Sequence, residues 1–306
     1  MKENKSNFYF GYPGNKRSEN KLLEPYLNLD GIDKIIEPFC GTSSFSRFIY
    51  ANYGDKYAYY SNDIDTGLIT WLKDVQKDGC KKYFDYTNNL LKGLTREQHK
   101  NYIQCYKQNL NNPYYYFYYN KIYNYRRTLY PEKLANKTQD YTKYKQLDEF
   151  YKKCILSNLD YIEYLKQYKD DPAALVYFDP PYFNACNVFY GGIESVDSNM
   201  NIIDNTYIFG YISDYLKTAK CKIILVINHN SLLSELYKPF IKLVYNKTYS
   251  FSHASLDNKK RRTRHMVVSN IDVMTTIQIN EKGQIRVLYN KDNMIIPLNI
   301  YTDKEY

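Results

Sequence analysis

Short apolar runs closed by turn residues punctuate the chain, and they read as buried strands. Ala174-Leu-Val-Tyr-Phe178 is the clearest, with β-branched and aromatic members, although five residues alone do not separate a strand from a piece of buried helix. It must stop where it does. Asp179 is followed by Pro180 and Pro181, which lack N–H donors and fix φ, and Pro180 also pushes Asp179 out of the helical region. Further strand-like runs are Ile35-Ile36, Lys56–Ser61, Lys222–Asn228 and Ile241–Tyr245. Between them lie helical faces: Leu22, Leu23, Tyr26 and Leu27 behind an N-cap at Ser18; Phe45, Phe48 and Ile49 behind a cap at Thr42 or Ser43; then Gly67–Val75, Tyr207–Ala219 and Ser231–Tyr237. Strand alternating with helix predicts an α/β fold, and ligands of open α/β sheets bind at the C-terminal strand ends. The first segment, residues 8–16, is an aromatic strand-like run that breaks into a Gly/Pro turn ending in Lys16.

Residues 78–165 depart from this rhythm. They hold few apolar runs but much Tyr, Asn, Lys and Arg, and a long insertion between strands of an α/β fold is commonly functional or a small separate domain. Aromatics interleaved with Lys121, Arg126 and Arg127 suit a nucleic-acid surface; a helical subdomain with packed tyrosines is the plain alternative. Residues 184–206 are polar and read as a loop. The basic run 257–264 sits between strand-like segments as a hairpin tip would, and 270–306 alternate polar and apolar positions without a legible motif.

Composition narrows the classes. In 306 residues, 42 Lys and Arg against 33 Asp and Glu give a formal charge of +9, which favours a polyanionic partner. The 38 tyrosines, with abundant Lys, Asn and Ile, reflect biased base composition more than function. No Cys-x-x-Cys pair and no metal-ligand spacing of histidines occurs, so no metal is expected. Scattered cysteines and no signal peptide predict an intracellular protein, and no apolar run is long enough to span a bilayer.

The chemistry concentrates at Asp179-Pro180-Pro181-Tyr182. An exocyclic amine of a nucleobase is a poor nucleophile because its lone pair is delocalised into the ring. A carboxylate and a carbonyl, such as those of Asp179 and Pro180, can hold its N–H groups and localise the pair, while Tyr182 can stack on a base taken out of the helix. The bland reading is a strand that ends in a stiff turn with a half-buried tyrosine. Upstream, Gly41 permits a tight turn after the Ile35-Ile36 strand, and Asp63 and Asp65 follow about twenty residues later, where an acidic residue commonly holds ribose hydroxyls. An N-cap for the next helix is the structural alternative. The G-x-G-x-x-G dinucleotide fingerprint is absent, which disfavours a nicotinamide cofactor.

In order and character these segments resemble the Dam-like D12 class of DNA adenine-N6 methyltransferases. The resemblance rests on Gly11-Tyr-Pro-Gly-Asn-Lys16, Glu37-Pro-Phe-Cys-Gly41, Asn62-Asp63-Ile64, Asp179-Pro-Pro-Tyr182, Asn228-His229-Asn230 and the basic hairpin near Lys259–Arg264, and runs from about residue 8 to 270. It implies a Rossmann-like sheet dependent on S-adenosylmethionine, formed by 1–77 and 166–306, with an inserted, mostly helical target-recognition domain at 78–165. It implies catalytic roles for Asp179, Pro180, Pro181 and Tyr182. Cofactor contacts are implied for Tyr12, Gly14, Lys16, Glu37, Phe39, Cys40, Gly41, Asp63, Ile64, Asp160 and Asp179. DNA contacts are implied for Asn120, Tyr123, Asn124, Arg126, Arg127, Lys259, Lys260, Arg261 and Arg262. The implied substrate is double-stranded DNA, with a cognate restriction endonuclease as one conceivable partner and a monomer or homodimer as the working form. The rival readings are the same chemistry on RNA and a catalytically silent DNA-binding subunit. The chain departs from the family in having Pro-Gly-Asn-Lys at its N-terminal turn and Gly-Thr-Ser-Ser in its cofactor loop.

Overall fold

A computed structural model describes residues 8–10, 12, 16, 19–23, 27–124, 140–181, 206–249, 261–271, 275–279, 285–289 and 295–297. Its centre is a seven-stranded sheet of order β3-β2-β1-β4-β5-β7-β6, built from β1 (Lys34–Glu37), β2 (Ala58–Asn62), β3 (Cys154–Ser157), β4 (Ala174–Phe178), β5 (Lys222–Asn228), β6 (Ile241–Tyr249) and β7 (Arg261–Ser269). β1 to β5 run parallel, and β7 lies antiparallel between β5 and β6. Side chains alternate across a strand, and here both faces are covered. Ile35, Leu175, Tyr177, Ile224, Val226 and Val267 enter one core; Ile36, Val176, Phe178, Ile223, Leu225, Ile227 and Met266 enter the other. That is why the strands read as unbroken apolar runs.

The first core is closed by α2 (Ser44–Tyr53), α3 (Thr66–Asp78) and α7 (Lys145–Lys153), the second by α8 (Tyr161–Lys166), α9 (Thr206–Thr218) and α10 (Ser231–Leu236). Of the helix expected after Ser18, the described part is α1 (Asn20–Leu23), with Leu23 fully buried; Ser18 lies outside the described residues. Phe8, Tyr9 and Phe10, expected as strand-like, form no strand. They are buried rings packed edge-on or tilted against Trp71. The polar stretch 184–205 lies outside the described residues.

The segment 78–165 contributes both helices and a strand of the central sheet. α4 (Lys81–Leu91), α5 (Arg96–Gln108), α6 (Pro113–Tyr118) and a π-helical turn (Tyr119–Asn124) are helical as expected. From Lys145 onward, however, the chain rejoins the main layers, and β3 pairs with β2 as the edge strand. β3 escaped detection because it is four residues long and only Cys154 is buried, so no period is visible. The helices are also fused to the main core. Phe117 stacks on Trp71 at 5.7 Å and touches Tyr83 and Phe84, and a Cβ on Gly67 would lie 2.7 Å from the Tyr116 ring. Buried Asp148 on α7 ties the joint, accepting from Tyr9 Oη at 2.5 Å, from the Cys80 N–H at 3.1 Å and from Tyr141 Oη. Near the C-terminus, β8 (Thr275–Ile279), β9 (Ile285–Tyr289) and β10 (Ile295–Pro297) make a separate antiparallel sheet, which accounts for the alternation seen there.

Candidate active site

The strand order reverses between β1 and β4, and ligands of open α/β sheets bind outside the carboxyl ends of the strands at such a point. β1 ends in Glu37–Gly41, β2 in Asn62–Ile64, β3 leads to Asp160, β4 to Asp179 and β5 to Asn228-His229-Asn230. The sheet therefore delivers these segments to one edge.

After β1, the turn is held by the Cys40 N–H donating to Asn62 O at 2.8 Å and the Ser43 N–H donating to Cys40 O at 2.6 Å. Gly41 has φ +46°, a region that glycine enters without strain, and a Cβ there would meet the Tyr12 ring at 2.9 Å. Its N–H donates to Asp63 Oδ2 at 2.8 Å, while Asp63 Oδ1 accepts from the Asp65 N–H at 3.0 Å. Burial pushes the Asp63 carboxyl up to about 6 against these amide donors. The neighbouring acid does a different job: Asp65 caps α3 by accepting from the Leu68 N–H at 3.0 Å, and it accepts from Tyr116 Oη at 3.0 Å. Of the two roles weighed for this acidic pair, the N-cap falls to Asp65. Ile64, between them, leaves its side chain 71% exposed at the same edge. Asn62 braces the site by donating to Leu159 O at 2.9 Å and accepting from the Leu159 N–H at 2.9 Å.

Other candidate cofactor residues sit deeper. Glu37 is 2% exposed, and its oxygens accept from the N–H groups of Phe45 at 3.3 Å and Ser46 at 3.0 Å. It caps α2 from the end of β1, the task expected of Thr42 or Ser43. Ser43 instead takes φ +48°, makes no side-chain cap and lies 3.0 Å from Ser61, Oγ to Oγ. Burial raises Glu37 to about 7. Cys40 is buried, with its thiol pushed well up by desolvation. Phe39 is half-buried, tilted on Tyr161 at 5.0 Å and on Phe178 at 6.4 Å. Asp160 is exposed and caps α8, accepting from the Ile162 N–H at 2.8 Å.

At the end of β4, Asp179 pairs with Lys16, whose side chain is 2% exposed against 21% for Asp179. Lys16 binds Oδ1. Burial raises the Asp179 carboxyl, and the Lys16 ammonium opposes that rise. Pro180 is buried and Pro181 half-buried. Gly14 and Tyr182 lie outside the described residues.

One cluster went unseen in the sequence. Glu19, 3% exposed, takes Tyr245 Oη at 2.5 Å, Lys247 Nζ at 2.8 Å and His265 Nδ1 at 2.9 Å. Burial works against its charge, but His265, Lys16 and Lys247 outweigh it and lower the carboxyl to about 2. Its partners come from β6 and β7, more than two hundred residues away for Lys247, so no local spacing could flag it.

The expected DNA-contacting residues divide. Asn120 is buried and donates to Tyr116 O at 2.9 Å, so it holds the π-turn instead of presenting a surface. Lys121 is packed over the Phe84 and Tyr144 rings at 4.9 and 5.1 Å. The backbone of Tyr123 and Asn124 ends the π-turn, and Arg261 and Arg262 open β7 opposite Tyr249 and Thr248; their side chains lie outside the description. Arg126, Arg127, Lys259 and Lys260 lie outside the described residues altogether. Among the described residues, no group of three His, Cys, Asp or Glu is placed to hold a metal ion. Among them, no helix is long and apolar enough to cross a membrane.

The arrangement fits S-adenosylmethionine: a carboxylate with lone pairs to spare at Asp63, an uncovered apolar side chain at Ile64, and a turn at Gly41 where a side chain would not fit. A search of curated proteins finds no match. A solved structure from Listeria monocytogenes (lmo1582), provisionally assigned as a class I S-adenosylmethionine-dependent methyltransferase, is similar at 10% identity and a TM-score of 0.37, over 85% of this chain and 60% of that one. The chain thus spans about three fifths of that structure's length. The family model described as D12 class N6 adenine-specific DNA methyltransferase matches residues 12–251. That match takes in the ends of β1 to β5, and the chain belongs to the D12 class of N6 adenine-specific DNA methyltransferases.

Proposed function

We propose that this chain transfers a methyl group to adenine N6 in double-stranded DNA. The observation that carries this is the state of Asp179. It stands at the end of β4, next to the point where the strand order reverses, with Oδ1 bound to Lys16. Oδ2 is then the acceptor left for an amine N–H, and the Pro180 carbonyl offers a second. Two acceptors on one amino group draw its lone pair out of the ring and aim it. S-adenosylmethionine supplies the activated methyl group when bound. The chain supplies position and fixed charge, which are large terms in reactions of this kind. Asp63 accepts from a ribose hydroxyl, Gly41 lets the backbone approach closely, and Ile64 offers an apolar face to the adenine of the cofactor. Tyr182 stacks on the extruded base. Lys16 offsets part of the rise that burial imposes on the Asp179 carboxyl.

DNA binding is assigned to Lys259, Lys260, Arg261 and Arg262 of the basic run, and to Tyr123 and Asn124 at the end of the π-turn with Arg126 and Arg127 that follow in the sequence. Cys40, Cys80, Cys105, Cys154 and Cys221 are free thiols, which suits a reducing, intracellular setting. The substrate class is tested by competition: incorporation of tritiated methyl into duplex DNA, challenged with structured RNA. Incorporation into DNA that RNA does not suppress supports the reading; preferential incorporation into RNA reassigns the substrate.

A further inference from the structure

The β6–β7 hairpin outruns the rest of the sheet. β5 stops at Asn228 opposite His265, but β6 and β7 go on pairing from Asn246↔Arg264 to Tyr249↔Arg261. The hairpin therefore projects past the edge where Asp179 lies, and its described part reaches Arg261 and Arg262 of the basic run. Where it leaves the sheet, Tyr245, Lys247 and His265 converge on Glu19. Glu19 in turn belongs to the same tight turn as Lys16, because the N–H groups of Glu19 and Asn20 both donate to Lys16 O, at 2.8 and 3.0 Å. Asn20 Nδ2 anchors the turn by donating to Ser44 O at 3.0 Å. Asp179, Lys16, Glu19, Lys247 and His265 thus form one nearly dry chain of charged and polar groups from the reacting edge to the hairpin.

A carboxylate buried this deeply needs a compensating gain in geometry to persist. We propose that Glu19 is a positioning residue for methyl transfer: it fixes the turn that places Lys16 on Asp179 Oδ1 and ties that turn to the base of the DNA-binding hairpin. Its charge also shares the Lys16 ammonium, so that Asp179 keeps its strength as an acceptor for the adenine amine. Lys247 and Tyr245 act through Glu19, from the hairpin side. The inference rests on the proposed reaction.

The test compares wild type with Glu19→Gln, Lys247→Gln and the double variant. Single-turnover transfer of tritiated methyl to duplex DNA is measured at saturating DNA and S-adenosylmethionine, with calorimetric cofactor titration alongside. Gln keeps the shape of Glu but removes the charge. Glu19→Gln is expected to slow transfer by about 10-fold or more, as small misplacements of reacting groups do, with cofactor affinity held within about twofold. The double variant should be no slower than Glu19→Gln alone, since Lys247 then has nothing to act through. A wild-type rate in Glu19→Gln, or losses that multiply in the double variant, would overturn the proposal. If Glu19→Gln does not fold, Tyr245→Phe keeps the carboxylate and removes one anchor. It must then slow transfer with cofactor affinity unchanged, and a wild-type rate there overturns the proposal equally. Failure of the underlying reading shows separately, as absence of transfer by the wild type.

Discussion

Asp63 is a residue at the strand ends whose behaviour depends on pH. With its carboxyl raised to about 6, it is ionised at neutral pH and accepts from Gly41 and Asp65. Protonation puts an O–H where amide donors converge and where the proposed ribose contact needs an acceptor. Cofactor affinity should therefore fall as pH drops through about 6, measured by calorimetric titration, and Asp63→Asn should bind weakly with a flat profile. Stability runs the other way. A carboxyl raised from 3.8 to about 6 binds its proton more tightly folded than unfolded, so its contribution is present at low pH and is lost as pH climbs through that window. Thermal melts should show Asp63→Asn losing that part of the pH dependence. A parallel fall of affinity and stability on acidification would contradict this assignment. The acid itself was legible from its distance after Gly41. Its division of labour with Asp65 was not, because both can accept from backbone amides and only the turn decides which faces which.

At the scale of elements, α2 is held by a residue outside the helix. Glu37 satisfies two of the N–H groups that a helix start leaves open. Glu37→Ala should cost at least the ~1–2 kcal/mol of a lost cap, read as a lowered denaturation midpoint. Glu37→Gln keeps one acceptor but turns an amide donor toward the other N–H, so it should recover only part of the loss. Sequence reading looked for a cap in Thr42 or Ser43, next to the helix, and a cap supplied by the preceding strand has no local signature. The tyrosine-rich run shows the same limit. Its helical spacing fits packed rings as well as a binding face, and Phe117, Tyr118 and Tyr119 are buried. Asn120→Ala should therefore lower stability by about 1 kcal/mol, the usual worth of a buried hydrogen bond, and leave DNA affinity unchanged. A variant of normal stability that binds DNA poorly would restore Asn120 to the interface.

For the whole molecule, the alternation of strand and helix was enough to expect an α/β sheet, because β4 and β5 are buried on both faces and write continuous apolar runs; the Rossmann-like form came from the family resemblance. The edge strand β3 and the extent of the insertion were not legible, since Cys154–Ser157 has only one buried position. Nor was the Glu19 cluster, which exists only through long-range contacts. The charge of +9 is a property of the entire chain, whereas the number of phosphates contacted sets how DNA binding responds to ions. If the basic run grips phosphates, log affinity should fall linearly with log salt, with a slope near −0.9 for each phosphate neutralised, and replacing Lys259 and Lys260 by Gln should flatten it by about two. The central claim is that Asp179 is the acceptor for the adenine amine. The most direct measurement is mass-spectrometric detection of N6-methyladenine in duplex DNA treated with S-adenosylmethionine and either wild-type or Asp179→Ala protein, with cofactor binding checked in both. The account predicts N6-methyladenine with wild type and none with Asp179→Ala, although the variant still binds cofactor. Near-normal methylation by Asp179→Ala would contradict it.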